Sequence, residues 1–146
     1  MIQDIFKERN TWHITCILFS KQNSTIFNRG GVIVTYETIL YEVVEKHIAK
    51  ITLNLPELRN PFTEKLVYEL VAAVNHADQD PTIRVIIITG SGSAFSAGGD
   101  ISEFKSNFTK SAPQLYDEGI KSNELFRLGS EVRTPMIASV NGPALG

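Results

Sequence analysis

The stretch SAFSAGGDI, residues 93–101, sets Gly98 and Gly99 immediately ahead of Asp100. Neither glycine has a Cβ, so both reach backbone angles other residues avoid and let another group approach the main chain closely. Three kinds of chemistry compete for such a segment. A phosphate cradle is the first, but the spacing does not match: Gly90 and Gly92 fit the start of G-x-G-x-x-G, Phe95 holds the third glycine position, and G-x-x-x-x-G-K-[ST] is not present. A plain structural turn after a strand is the second. The third is a backbone donor site. DISEF, 100–104, reads as a short helix with Asp100 as its N-cap, and the N–H of Gly99 at that start is placed to meet an oxygen that gains negative charge. Asp100 itself is expected to cap and not to act as a base, because N–H bonds and the helix dipole favour its ionised form.

The elements that must position this turn follow from periodicity. ETILYEVVEKHIAKITLNL reads as two strands, about 38–44 and 47–54, joined at Glu45-Lys46. Ile39, Tyr41 and Val43 alternate on the first, and Ile48, Ile51, Leu53 and Leu55 populate the second. PELRNP, 56–61, is a loop bounded by prolines. Leu66, Leu70, Ala73, Val74 and Ala77 then form one helical face, with Thr63 as N-cap and DQDP as the stop. RVIIIT, 84–89, is continuously apolar and predicts a strand buried on both faces. A second helix is expected over about 113–128 with Leu115, Ile120, Leu125 and Leu128 inside, followed by a buried strand in RTPMIASV, 133–140, with Pro135 tolerated at its start. Strand–helix–strand–helix–strand of this kind means parallel pairing. Glu103, Asp117, Glu118 and Glu124 read as helix-surface charges. Residues 1–35 show no sustained period and read as an N-terminal extension of unassigned order, although 12–19 could pair as a strand; the domain proper is expected over 36–146.

Bulk properties exclude several classes. The 146 residues are 42% hydrophobic and 21% charged with a formal net charge of −2, so nothing suggests disorder or a basic nucleic-acid binder. Cys16 is the only cysteine, and His13, His47 and His76 are scattered, so no metal site is expected. No apolar run approaches the ~20 residues of a membrane span, and a soluble cytoplasmic protein is the expectation.

SAFSAGGDI, followed after an intervening helix by TPMIASVNGPALG, resembles the crotonase family of enoyl-CoA hydratases and isomerases. ITLNLPELRNPF is similar to that family's first signature, N-x-P-x-x-x-N-A. The resemblance covers 36–146, roughly the N-terminal half of a family domain. It implies an α/β fold, the crotonase-like ββα spiral, truncated at the C-terminal side. It implies acyl-CoA thioester substrates, with coenzyme A present as part of the substrate and no permanently bound cofactor. It places the first oxyanion-hole N–H at Gly99 and the adenine pocket along the backbone of Ala97, Asp100 and Ile101. Leu58 and Arg59 would lie near the CoA pyrophosphate and pantetheine, although a solvated loop arginine fits Arg59 equally well. The full domain would form a homotrimer or hexamer. Two departures stand out: Leu55 holds a place where a basic residue is common, and Pro61-Phe62 replaces the small residue after the asparagine. The second oxyanion donor and the acid/base glutamates of the family would lie beyond Gly146, so hydratase or isomerase chemistry is expected to be incomplete in this chain. A non-catalytic acyl-CoA-binding or scaffold protein with the same fold is the alternative. An α/β domain unrelated to CoA, with an incidental glycine turn, is the third.

Overall fold

The two strands expected around residues 38–54 form an antiparallel hairpin, β4 (Ile39–Val44) and β5 (Ile48–Leu53), in register from Ile39 opposite Leu53 to Val44 opposite Ile48. Glu45 (φ 50°) and Lys46 (φ 67°) make the reversal, a left-handed pair that suits the twist of the hairpin. The computed structural model describes residues 18–20, 23–27, 33–101 and 109–146. Ahead of the hairpin it places three short antiparallel strands in order, β1 (Leu18–Ser20), β2 (Asn23–Phe27) and β3 (Ile33–Tyr36). Both β2 and β3 run beside β4. Of the segment 12–19 considered as a strand, residues 18 and 19 belong to β1 and 12–17 lie outside the described residues.

After β5 the chain makes a 3-10 turn at Pro56–Leu58 and enters helix α1 (Glu64–Gln79). Thr63 caps α1 as its type predicts, its hydroxyl accepting the Leu66 N–H at 3.2 Å. The predicted apolar face, Leu66, Leu70, Ala73, Val74 and Ala77, is buried in full. It packs on the inward side chains of the hairpin, Ile39, Tyr41, Ala49, Ile51 and Leu53. Ile48 stands on the opposite face. Ile51 and Leu53 set the parity of β5, and alternation then sends even-numbered side chains away from α1.

Strand β6 (Val85–Gly90) pairs in parallel with β5, and β7 (Met136–Ser139) pairs in parallel with β6, giving one sheet of order β4-β5-β6-β7. Helix α2 (Ala112–Glu131) connects the last two strands, starting in a capping box of Ser111 and Gln114. Burial here is thinner than the sequence pattern suggests. In β6 only Ile86 is fully buried, and its neighbours are half-buried, so the strand is not enclosed on both faces. Met136 is half-buried, whereas Ile137 is 52% exposed and Ala138 and Ser139 are exposed, which corrects the expectation of a buried strand. In α2, Leu128 is buried and Leu125 half-buried, but Leu115 and Ile120 are 39% and 49% exposed. The reason is geometric: α1 covers β4 and β5, β7 is the edge strand, and among the described residues α2 joins the core near its C-terminal end, through Leu125 and Leu128. Glu103 lies outside the described residues; Asp117, Glu118 and Glu124 fall within α2.

A second, smaller layer runs beside the sheet. Phe62 follows β5, Ser96 and Gly99 follow β6, and Ala144 follows β7, and these form parallel bridges Phe62–Gly99 and Ser96–Ala144. Successive turns therefore place a long strand beside a short bridging segment, with helices between, and this is the ββα spiral of the crotonase-like α/β fold.

Two buried or shielded carboxylates stitch the turns together. Glu69 on α1, 7% exposed, accepts the N–H groups of Glu37 (3.1 Å) and Thr38 (2.8 Å) and the Thr38 hydroxyl (2.7 Å). The Tyr36 phenol beside it is pushed up to about 12 by burial and then by the Glu69 charge. Asp78 near the end of α1 accepts the N–H groups of Thr134 (2.8 Å) and Arg133 (3.1 Å) at the entrance to β7. The Thr134 N–H leads the interactions that hold the Asp78 carboxyl below its ordinary value. Among the described residues, no helix is long and apolar enough to cross a membrane.

Replacing Glu69 by Ala strands two N–H groups and a hydroxyl, so the unfolding free energy is expected to fall by about 3 kcal/mol or more, read by urea denaturation. For Asp78 the sign follows from its lowered pKa. Its contribution is complete above the ordinary carboxyl value of about 4 and is lost as pH falls through the folded value below it. The urea midpoint of Asp78→Asn, which mimics the protonated acid, should lie below wild type at neutral pH and converge with it in strong acid; a gap that stays constant across that range contradicts the assignment.

Candidate functional site

The loops after β5, β6 and β7 all leave the C-terminal edge of the parallel strands, where open α/β sheets hold ligands. The first loop is locked by an asparagine. Arg59 (φ 62°) and Asn60 (φ 56°) both take the left-handed conformation, which costs a residue with a Cβ about 1–2 kcal/mol. The buried Asn60 side chain offsets this. Its Oδ1 accepts the Leu55 N–H at 2.9 Å, and its Nδ2 donates to the carbonyls of Ser91 (3.0 Å) and Ala94 (2.9 Å).

Asn141, after β7, grips the same glycine turn from the other side. Its Oδ1 accepts the Gly90 N–H at 3.0 Å, and its Nδ2 donates to the carbonyls of Gly92 (3.2 Å) and Ala94 (3.4 Å). Between the two amides the turn is so tightly folded that a Cβ on Gly90 would run into the Ala94 carbonyl oxygen, and one on Gly142 into that of Ser93. These two glycines serve close approach of backbone to backbone.

The chain then extends through the SAFSAGGD motif. Phe95 N–H donates to the Pro143 carbonyl at 3.0 Å, Leu145 N–H to the Ser96 carbonyl at 3.0 Å, and Phe62 N–H to the Gly98 carbonyl at 2.8 Å. No described peptide bond is cis. In a planar trans peptide the C=O and the following N–H point in opposite directions. Because the Gly98 carbonyl points at Phe62, the Gly99 N–H points away from it. Gly99 is exposed, and its N–H has no hydrogen-bond partner among the described residues. Gly98 itself has φ +83°, and a Cβ there would lie 3.1 Å from the Leu145 carbonyl oxygen.

A cleft of ≈ 320 Å³ opens at this edge, lined by Arg59 from the first loop, Ser93, Ala94, Ser96 and Ala97 from the second, and Pro143 and Leu145 from the third. Arg59 is its one charged lining residue among those described. Of the residues singled out in the sequence, Arg59 and Ala97 thus share the cleft. Leu58, 63% exposed, precedes Arg59 at the end of the 3-10 turn. Gly99 and the half-buried Asp100 follow Ala97 along the same segment, and Ile101, 73% exposed, is the first helical residue. The remaining residues of DISEF, 102–104, lie outside the described residues. Leu55, where the family signature often has a basic residue, is half-buried against the core, and Pro61 is buried. Sequence reasoning missed the clamp. Asn60 and Asn141 stand beside proline and glycine in RNP and NGP, where asparagine reads as a turn former, and only their hydrogen bonds in the fold show that they tie loops together, Asn60 from a buried position and Asn141 from an exposed one.

These features have counterparts elsewhere. Residues 44–146 match the enoyl-CoA hydratase/isomerase family model, and the chain belongs to that family. It is 37% identical over 112 residues to a probable enoyl-CoA hydratase of Mycobacterium tuberculosis, covering 76% of this chain and 42% of that protein. It is 38% identical over 112 residues to the crotonyl-CoA hydratase of Syntrophomonas wolfei, with the same 76% and 42% coverage. The crystal structure of an enoyl-CoA hydratase/isomerase from Xanthobacter autotrophicus superposes with a TM-score of 0.68 at 30% identity, over 74% of this chain and 40% of that one. The chain thus spans about two fifths of the length of the relatives it matches.

Asn60→Ala is expected to lower the unfolding free energy by about 3 kcal/mol or more, since one N–H and two carbonyls lose their partner and a buried cavity forms. A loss under about 1 kcal/mol by urea denaturation would mean that the clamp is not what holds the loops.

Proposed function

We propose that this chain binds acyl-CoA thioesters and that the Gly99 N–H stabilises negative charge on the thioester oxygen. The observation that carries the reading is the Gly99 amide itself: exposed, unpartnered among the described residues, and aimed away from Phe62 by the bond that holds the Gly98 carbonyl. A thioester carbonyl gains charge when an α-proton leaves or when a nucleophile adds to a conjugated double bond. A fixed N–H dipole at that oxygen stabilises the enolate without reorganising, and one such donor typically contributes about 3–4 kcal/mol. Nearby backbone supplies the rest of the proposed site. Ala97, Asp100 and Ile101 would border the adenine, while Leu58 and Arg59 would meet the pantetheine and pyrophosphate, Arg59 supplying the positive charge a phosphate needs. In this reading residues 36–146 are the acyl-CoA-binding part and residues 1–35 an extension of it. Family membership supports enoyl-CoA hydration or isomerisation as the reaction class for the whole protein.

A binding role without turnover is the second reading. It is favoured by the lining of the cleft, which holds Arg59 and, among the described residues, no carboxylate to move a proton.

Acetoacetyl-CoA separates the two, because its α-proton is acidic enough for an oxyanion site to draw out the enolate, seen as a near-ultraviolet band, without a protein acid or base. Wild type is expected to bind coenzyme A by calorimetry and to raise the enolate band. Gly99→Pro removes the N–H and should cut the bound enolate about a hundredfold while leaving coenzyme A binding in place. Binding with no enolate band in wild type supports the second reading. An equal band in wild type and Gly99→Pro would falsify the role of Gly99.

A further inference from the structure

We infer that Ser96 is a positioning residue for the Gly99 amide, its buried hydroxyl fixing the direction in which that N–H points. The inference rests on the reading of Gly99 as the oxyanion donor. Ser96 is 2% exposed. Its hydroxyl donates to the Asn60 carbonyl at 2.8 Å and accepts the Gly98 N–H at 3.1 Å. Its own backbone is tied on the other side, the N–H to the Pro143 carbonyl at 3.3 Å and the carbonyl to the Leu145 N–H at 3.0 Å. The side chain thereby links the first loop to Gly98, and the backbone of the same residue ties both to the third loop.

Gly98 is the weak point of this segment. It sits at φ +83° and, as a glycine, has wide backbone freedom on both sides of its α-carbon. Two bonds hold it. The Ser96 hydroxyl fixes the peptide plane before Gly98 through its N–H, and the Phe62 N–H fixes the plane after it through its carbonyl. The second plane carries the Gly99 N–H. With both anchors the amide has one direction; with the Phe62 bond alone, Gly98 becomes a hinge about which that plane can rock. Packing alone does not call for the hydroxyl, since alanine would fill nearly the same space. An oxygen this deeply buried, meeting one donor and one acceptor from separate segments, does orientational work.

The test uses the full chain with acetoacetyl-CoA and coenzyme A. Ser96→Ala should bind coenzyme A within about twofold of wild type and lose about tenfold in bound enolate, the size of one buried hydrogen bond. The Gly99 cross-peak in an amide ¹⁵N–¹H spectrum should shift. Ser96→Cys fills the same space with a much weaker hydrogen-bonding group, so it carries the test where the alanine variant does not fold, and should likewise lose most of the band. A wild-type enolate band in either variant overturns the inference and leaves Gly99 standing. Parallel loss of coenzyme A binding and enolate shows a merely structural role and also overturns it. Absence of the band in wild type removes the Gly99 reading and this inference with it.

Discussion

The site depends on the buried amide of Asn60. Its three hydrogen bonds hold the turn after β5 against the glycine turn after β6, and every donor and acceptor they use is otherwise committed to no strand or helix. Backbone groups in such loops have no strand or helix partner, and a polar group left unpaired as it is buried costs free energy. A side-chain amide answers both needs, because it donates and accepts at once. Asn141 makes the same kind of grip from the loop after β7, and the two amides meet at the Ala94 carbonyl. The three loops that line the cleft are therefore one hydrogen-bonded unit, set on the edge of the parallel sheet.

That unit explains the glycines as a division of labour. Gly90 and Gly142 exist for closeness, since a Cβ at either would strike a carbonyl of the turn. Gly98 exists for conformation, at a positive φ that lets the segment run between Phe62 and Leu145. Gly99 matters in another way. Its place in the chain matters because the peptide it shares with Gly98 is anchored at the carbonyl and open at the N–H. The motif thus separates the residues that build the turn from the one that presents a donor, a separation invisible in the string of letters.

The hairpin, α1 and the core face of α1 were legible because each has an internal period and nearby partners. Leu66, Leu70, Ala73, Val74 and Ala77 repeat at helical spacing, and they bury against the hairpin that comes just before them in the chain. The outer parts were less legible. Met136 to Ser139 reads as a buried strand because its residues are mostly apolar, yet burial depends on which element covers it, and among the described residues α2 reaches the core through Leu125 and Leu128. Glu69 looks like a surface charge on a helix. It is buried because Glu37 and Thr38 turn their N–H groups into the helix face, and no local pattern announces that.

From the letters alone came the order of strands and helices from β4 onward, the α/β class, and a glycine turn fit for close approach, because propensity, periodicity and a motif are properties of neighbouring residues; β2 and β3 were not among them. They also sufficed to suggest the family and to single out Gly99, Ala97 and Arg59. Tertiary structure alone decided that Arg59 and Ala97 share one cleft, that two distant asparagines clamp the same carbonyl, and that the Gly99 N–H faces outward. Each of those is a direction in space, set by hydrogen bonds between residues more than thirty positions apart, and a one-dimensional pattern carries no information about direction.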